Sequence, residues 1–140
     1  MKVYDISNKI IGRTLTRVTK DLLKGEMVHI INCEKGLIAG NPKYTKNHYL
    51  EKVQRGDKHH GPFYPKTPQG IVKRIARGMI PYKLNRGKKA LSKLKVWIDV
   101  PEELKNIESI SYDDADVKKL RTKYITIGEL SLALGTKKRW

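Results

Sequence analysis

A chain of 140 residues that holds 30 Lys and Arg against 14 Asp and Glu carries a formal net charge of +16 at pH 7, the balance of a protein that meets a polyanion. Its 39% hydrophobic content suffices for one core and a single domain, 1–140, whereas no apolar run approaches the roughly 20 residues that span a bilayer and the start lacks a signal peptide's apolar stretch. A cytoplasmic protein with no membrane partner is expected, and Cys33, the only cysteine, excludes an internal disulfide or a thiolate zinc site built from this chain alone.

Val3 to Ile6 reads as a strand, and Ser7 and Asn8 as helix-start residues. Ile11, Leu15, Val18 and Leu22 then recur on one helical face, with Gly25 as the stop. Arg13, Arg17, Lys20 and Lys24 form a second stripe about 200° around the axis, cationic where the first is apolar. Val28 to Asn32 and Leu37 to Ala39 are strand candidates. Strand, helix and strand with short connections predict an α/β fold with a parallel sheet. Cys33 in this setting reads as a small buried hydrophobe; a nucleophilic thiol would need His29 as its base.

From Asn41 to Lys95 the chain concentrates its charge, with fifteen Lys or Arg against Glu51 and Asp57. A helix is predicted over 42–55, with Tyr49, Leu50 and Val53 inward and Lys43, Lys46, Lys52 and Arg55 outward. Residues 54–67 hold Gly56, Gly61, Pro62 and Pro65 with no period, so they read as a long loop to be ordered by a partner. The loop presents Lys58, His60 and Lys66. Histidines 59 and 60 have no further ligand at metal spacing, so a hydrogen bond to phosphate is the expected role of His60. Pro68 opens a third helix with Ile71, Val72, Ile75, Ala76 and Met79 inward and Lys73, Arg74 and Arg77 outward, closed by Gly78 and Pro81. After Lys83, Asn85 is expected to cap a fourth helix through Lys93, with Ala90, Leu91 and Leu94 apolar and Lys88, Lys89 and Lys93 covering the rest, and Arg86 a further candidate for phosphate.

Lys95 to Asp99 alternates as a strand ended by Pro101. The segment 99–140 is acidic and then basic: between Val96 and Val117 seven acids face Lys105 alone. Nucleic acid would repel that stretch, which is therefore expected against solvent, a protein neighbour or the domain's own basic side. Tyr124 to Ile127 reads as extended and Leu130 to Leu134 as a short helix.

No phosphate-cradling glycine loop, nucleophile elbow or zinc-protease helix is present, so neither an enzyme, a cofactor nor a small-molecule substrate is expected. Phe63, Tyr64 and Tyr82 are candidates to stack on unpaired bases, weighed against core packing or bracing of the proline turns. No position offers a base-edge code, which predicts recognition of RNA shape and phosphates. Two other classes share parts of this reading. An RNA-modifying enzyme needs an acid, base or nucleophile beyond Glu51, Asp57 and His60, and a regulatory RNA-binding module would differ only in location.

The string Gly61-Pro62-Phe63-Tyr64, then Arg77-Gly78-Met79-Ile80-Pro81, Arg86-Gly87 and Leu94-Lys95-Val96, with Gly12-Arg13 and Asn32-Cys33-Glu34 upstream and Gly128-Glu129-Leu130 downstream, resembles ribosomal protein thirteen of the large subunit, archaeal in type. The resemblance implies a three-layer α/β/α fold around a small, mainly parallel four-stranded sheet with basic loops. It also implies a structural and assembly role on large-subunit ribosomal RNA beside neighbouring ribosomal proteins. Ile80 stands where leucine is usual, the basic extension of eukaryotic relatives is missing, and 109–116 aligns with nothing in the family.

Overall fold

The computed structural model describes all residues, Met1 to Trp140. Four strands form one parallel sheet: β1 (Lys2–Asp5), β2 (Val28–Ile31), β4 (Leu94–Val96) and β5 (Ser109–Ile110), in the order β4-β2-β1-β5. Between them the chain runs through α1 (Ile11–Leu23), β3 (Leu37–Ala39), α2 (Pro42–Gln54), α3 (Pro68–Gly78) and α4 (Asn85–Ser92), and it ends with β6 (Tyr124–Thr126) and α5 (Ile127–Ala133). β3 and β6 pair antiparallel as a separate ribbon.

Side-chain alternation along β1 and β2 divides the core. Tyr4, Val28 and Ile30 face a cluster of 20 buried residues shared with α1, α3, α4 and α5, including Leu15, Leu22, Ile71, Ala76 and Leu130. Each fully buried Leu or Ile there stabilises the fold by about 1.5–3 kcal/mol. Val3 and Ile31 face the opposite way, onto Leu104, Trp97, Val100 and Ile107. The fold is therefore three-layered, with its second outer layer supplied by residues 97–107 and a single 3-10 turn at Glu102–Leu104.

Several local expectations are corrected. α1 starts at Ile11, because the Asp5 carboxylate accepts from the Ser7 amide and hydroxyl and Asn8 adopts a left-handed φ of 55°, so neither Ser7 nor Asn8 caps it. Asn85 is the first residue of α4 and Leu84 precedes it without a side-chain cap. Leu50 and Met79, expected inward, are exposed; α2 is anchored through Thr45, Tyr49 and Val53 and carries no continuous apolar stripe. The β4 strand is short, although hydrogen bonding beside β2 continues through Trp97 and Asp99. Ser109 and Ile110, unassigned in the sequence, form the β5 edge. The 54–67 loop has its own frame: the amides of Asp57 and Gly61 each donate to the other's carbonyl at 3.0 Å.

Candidate nucleic-acid interface

Each basic element is set by a local device. Asn41 caps α2 by accepting from the Lys43 amide, with Pro42 in the first turn, and this leaves Lys43 and Lys46 exposed. Thr67 and Pro68 start α3 in the same way. Its buried face, Ile71, Val72 and Ala76, fixes which way Lys73, Arg74 and Arg77 point. Lys73 is free in solvent, whereas Arg74 and Arg77 are half-buried, their guanidinium carbons 5.5 Å and 4.1 Å from the Tyr64 and Tyr82 ring centres. Such cation–π contacts hold a side chain in place at about 0.5–1 kcal/mol each without cancelling its charge. At the α3–α4 corner a Cβ on Gly87 would overlap the Pro81 carbonyl, so glycine permits the close approach that displays Lys83, Arg86, Lys88 and Lys89 on the surface.

The loop joins these faces. His60 Nδ1 lies 2.8 Å from Asp57 Oδ2, and this bond, helped by the amides of Lys58 and His59, holds the Asp57 carboxyl below its usual range. Because a carboxylate only accepts, Nδ1 carries the proton. Lys58 and Lys66 are exposed, and the Lys66 carbonyl accepts from Ser131 Oγ at 2.6 Å and Thr136 Oγ1 at 2.9 Å, which pins the end of the loop to the C-terminal segment.

The aromatic expectations divide. Tyr64 packs edge-on against Tyr49 at 5.6 Å and Tyr82 lies beneath Arg77, so both brace the scaffold. Phe63 is 71% exposed and so does not pack in the core, while its ring lies close to Gly61 of the Gly61–Pro62 turn. Lys52 and Arg55 join Arg74 around one cleft with Tyr64; the sequence placed both on the outward face of α2 but gave no sign that they would meet α3.

Together with His60, which is bonded to Asp57, Arg13 and Arg17 are the candidate residues that already have partners within the chain. The acidic segment crosses α1, where Arg17 forms an ion pair with Asp114 and lies 4.1 Å over the Tyr112 ring, and Arg13 Nη1 donates to the Asp114 carbonyl at 2.9 Å. Lys9, 8% exposed, pairs with Asp116 at 2.8 Å. Backbone bonds from Ile10 to Ala115 and from Val117 to Asn8 fix this strap. Of the three places open to the acidic stretch, residues 113–116 take the domain's own basic side. By contrast, none of Lys43, Lys46, Lys58, Lys66, Lys73, Arg74, Arg77, Lys83, Arg86, Lys88 or Lys89 has an acidic partner within 4.0 Å.

The catalytic alternative for Cys33 fails on geometry. Cys33 is fully buried in the helical layer, and burial pushes its thiol up to about 12. His29 is committed to Trp97, whose indole nitrogen donates to His29 Nδ1 at 3.3 Å. No helix is long and apolar enough to cross a membrane.

Residues 1–103 match the family model of Ribosomal protein L13. The large ribosomal subunit protein uL13 of Methanosarcina barkeri is 45% identical over 139 residues, covering 98% of this chain and 99% of that protein. Those of Methanopyrus kandleri and Archaeoglobus fulgidus are 43% and 41% identical, each over 95% of this chain and 86% of their own. The chain therefore belongs to the L13 family of large-subunit ribosomal proteins, a structural and non-enzymatic family whose archaeal members it matches along nearly its whole length.

Proposed function

We propose that this protein is a structural constituent of the large ribosomal subunit in the cytoplasm, where it binds large-subunit ribosomal RNA and supports subunit assembly. The observation that carries the reading is the set of cations on α2, α3, α4 and the 54–67 loop that have no acidic partner, held by caps, core packing and cation–π contacts while Asp114 is paired with Arg17 and Asp57 with His60. Uncompensated charge on rigid elements is suited to phosphates already fixed in space, because little ordering cost remains at docking. Phosphate contacts then set position, and the A-form shape of RNA sets selectivity.

Arg13 and Arg17 stay outside this surface while the acidic strap occupies them. The outer acids Glu102, Glu103 and Glu108 lie away from the basic elements in sequence and are exposed, which suits contact with basic neighbouring ribosomal proteins. If about eight phosphates are neutralised, log K for large-subunit RNA falls with log salt at a slope of roughly −6 to −7. A flat salt response removes the reading. A regulatory RNA-binding role outside the ribosome shares the same charges; co-sedimentation with large subunits through moderate salt supports the ribosomal role, and a free pool bound to messenger targets supports the other.

A further inference from the structure

We propose that Phe63 and the cleft beside it hold one unpaired, extruded nucleotide of the bound RNA, with its base stacked on the Phe63 ring and its phosphate among Lys52, Arg55 and Arg74. This deepens the RNA-binding reading and rests on it.

Phe63 is the chain's only phenylalanine and is 71% exposed. Leaving so large an apolar ring in water forgoes the stabilisation that burial would give and leaves its face open to a partner. The ring is also preset: a Cβ on Gly61 would lie 3.1 Å from it, so the ring rests directly on the Gly61 backbone. That backbone is tied by the reciprocal bonds to Asp57. A stacking platform held in this way loses little freedom when a base covers it.

The surroundings decide the kind of partner. On one side of the Pro62–Tyr64 ridge lies a cleft of about 380 Å³ lined by Lys52, Arg55, Pro62, Tyr64 and Arg74. Lys52 Nζ and the Arg74 guanidinium lie 5.7 Å and 5.5 Å from the Tyr64 ring centre, and both line this cleft. The other side is a cleft of about 370 Å³ that contains Phe63 with Arg55, Lys58 and Lys66. Its one carboxylate, Asp57, is bonded to His60. The two clefts share Arg55, Pro62 and Tyr64, so an anion subsite and an aromatic platform lie side by side. A protein partner for an exposed Phe would find an apolar rim, whereas this rim is cationic. Paired bases keep their faces inside the helix, so the occupant is a nucleotide turned out of a loop, bulge or end.

The test uses the full chain bound to large-subunit ribosomal RNA at low salt, irradiated with ultraviolet light and mapped by mass spectrometry. A nucleotide adduct on the peptide carrying Phe63 is expected. Phe63→Leu abolishes it and weakens binding about 5- to 150-fold, the loss of one base–aromatic stack, with an unchanged salt slope, while Phe63→Trp retains both adduct and affinity. The double change Lys52→Gln with Arg55→Gln shallows the salt slope by about 1.4–1.8. If RNA binds with a steep salt slope, no adduct forms at Phe63 and Phe63→Leu binds like the parent, the nucleotide site is refuted and the phosphate-binding surface stands. If no RNA is retained at low salt, both readings fall.

Discussion

The acidic strap over α1 makes an asymmetric prediction about two cationic helix faces that look alike in sequence. The Arg17 charge is engaged by Asp114 and by the Tyr112 ring, and Arg13 by the Asp114 carbonyl. Lys73 and Arg77, one turn apart on α3, have no acidic partner. Each phosphate neutralised contributes about 0.7–0.9 to the slope of log K against log salt. Replacing Lys73 and Arg77 together by Gln is therefore expected to shallow that slope by about 1.4–1.8, with a stability loss of about 0.5–1 kcal/mol from the Arg77–Tyr82 contact. The same double replacement at Arg13 and Arg17 is expected to leave the slope unchanged and to lower stability by about 1 kcal/mol, the sum of a surface ion pair and a surface cation–π contact. RNA filter binding across several salt concentrations, paired with urea melts of the same proteins, reads both quantities. If the α1 pair shallows the slope as much as the α3 pair does, the strap yields to RNA and the argument for a closed α1 face is wrong.

Asp21 accepts from Tyr4 Oη at 2.5 Å and from Lys2 Nζ at 2.9 Å, and these bonds, Tyr4 first, hold its carboxyl below the usual range. A depressed carboxylate stabilises the fold above its unfolded value near 3.9 and loses that contribution as pH falls through the folded value. Asp21→Asn is expected to cost about 2 kcal/mol at neutral pH, the difference between two charge-assisted and two neutral bonds, and to approach the parent only as pH falls below the usual carboxylate range; a penalty in urea melts that persists undiminished in acid would contradict this. Cys33, buried and with its thiol pushed up to about 12, is expected to resist a disulfide reagent at pH 8 until denaturant is added, so that rapid labelling of the folded protein would overturn its assignment to the core.

What could be read from sequence follows the range of the forces involved. The inward faces of α1 and α3 were legible because Leu15, Val18, Ile71 and Ala76 repeat with the helical period, and packing obeyed that period. β1 and β2 were legible from their runs of β-branched and aromatic residues, Val3-Tyr4 and Val28 to Ile31. The start of α1 was not, since Asp5 takes the Ser7 groups that would otherwise have capped the helix. Leu50 illustrates the weaker case of α2, where only a few residues touch the core and apolar character alone does not give direction. The β5 pairing depends on β1, more than a hundred residues upstream, and two residues carry no period. Within the interface, the cations on α2, α3 and α4 followed from charge and helix phase. The closure of α1 did not, because Arg17 and Asp114 meet across 97 residues of chain. For Phe63 the core-packing part of the expectation did not hold, because hydrophobicity predicts burial only on average and the ring lies against the backbone of the Gly61–Pro62 turn.

The clamp on the Lys66 carbonyl carries a consequence in the time order of synthesis. Its two hydroxyl donors, Ser131 and Thr136, lie 65 and 70 residues downstream of the residue they hold. A nascent chain therefore displays the 54–67 loop and the α3 cations well before it owns the means to fix the loop's end. On the RNA-binding reading proposed above, those cations emerge before the loop's end is fixed by Ser131 and Thr136, and the geometry for one RNA surface is complete only after α5 has folded against α3. Loose attraction is thus encoded ahead of specific seating, and a chain interrupted between Lys66 and Ser131 would keep the first property without the second.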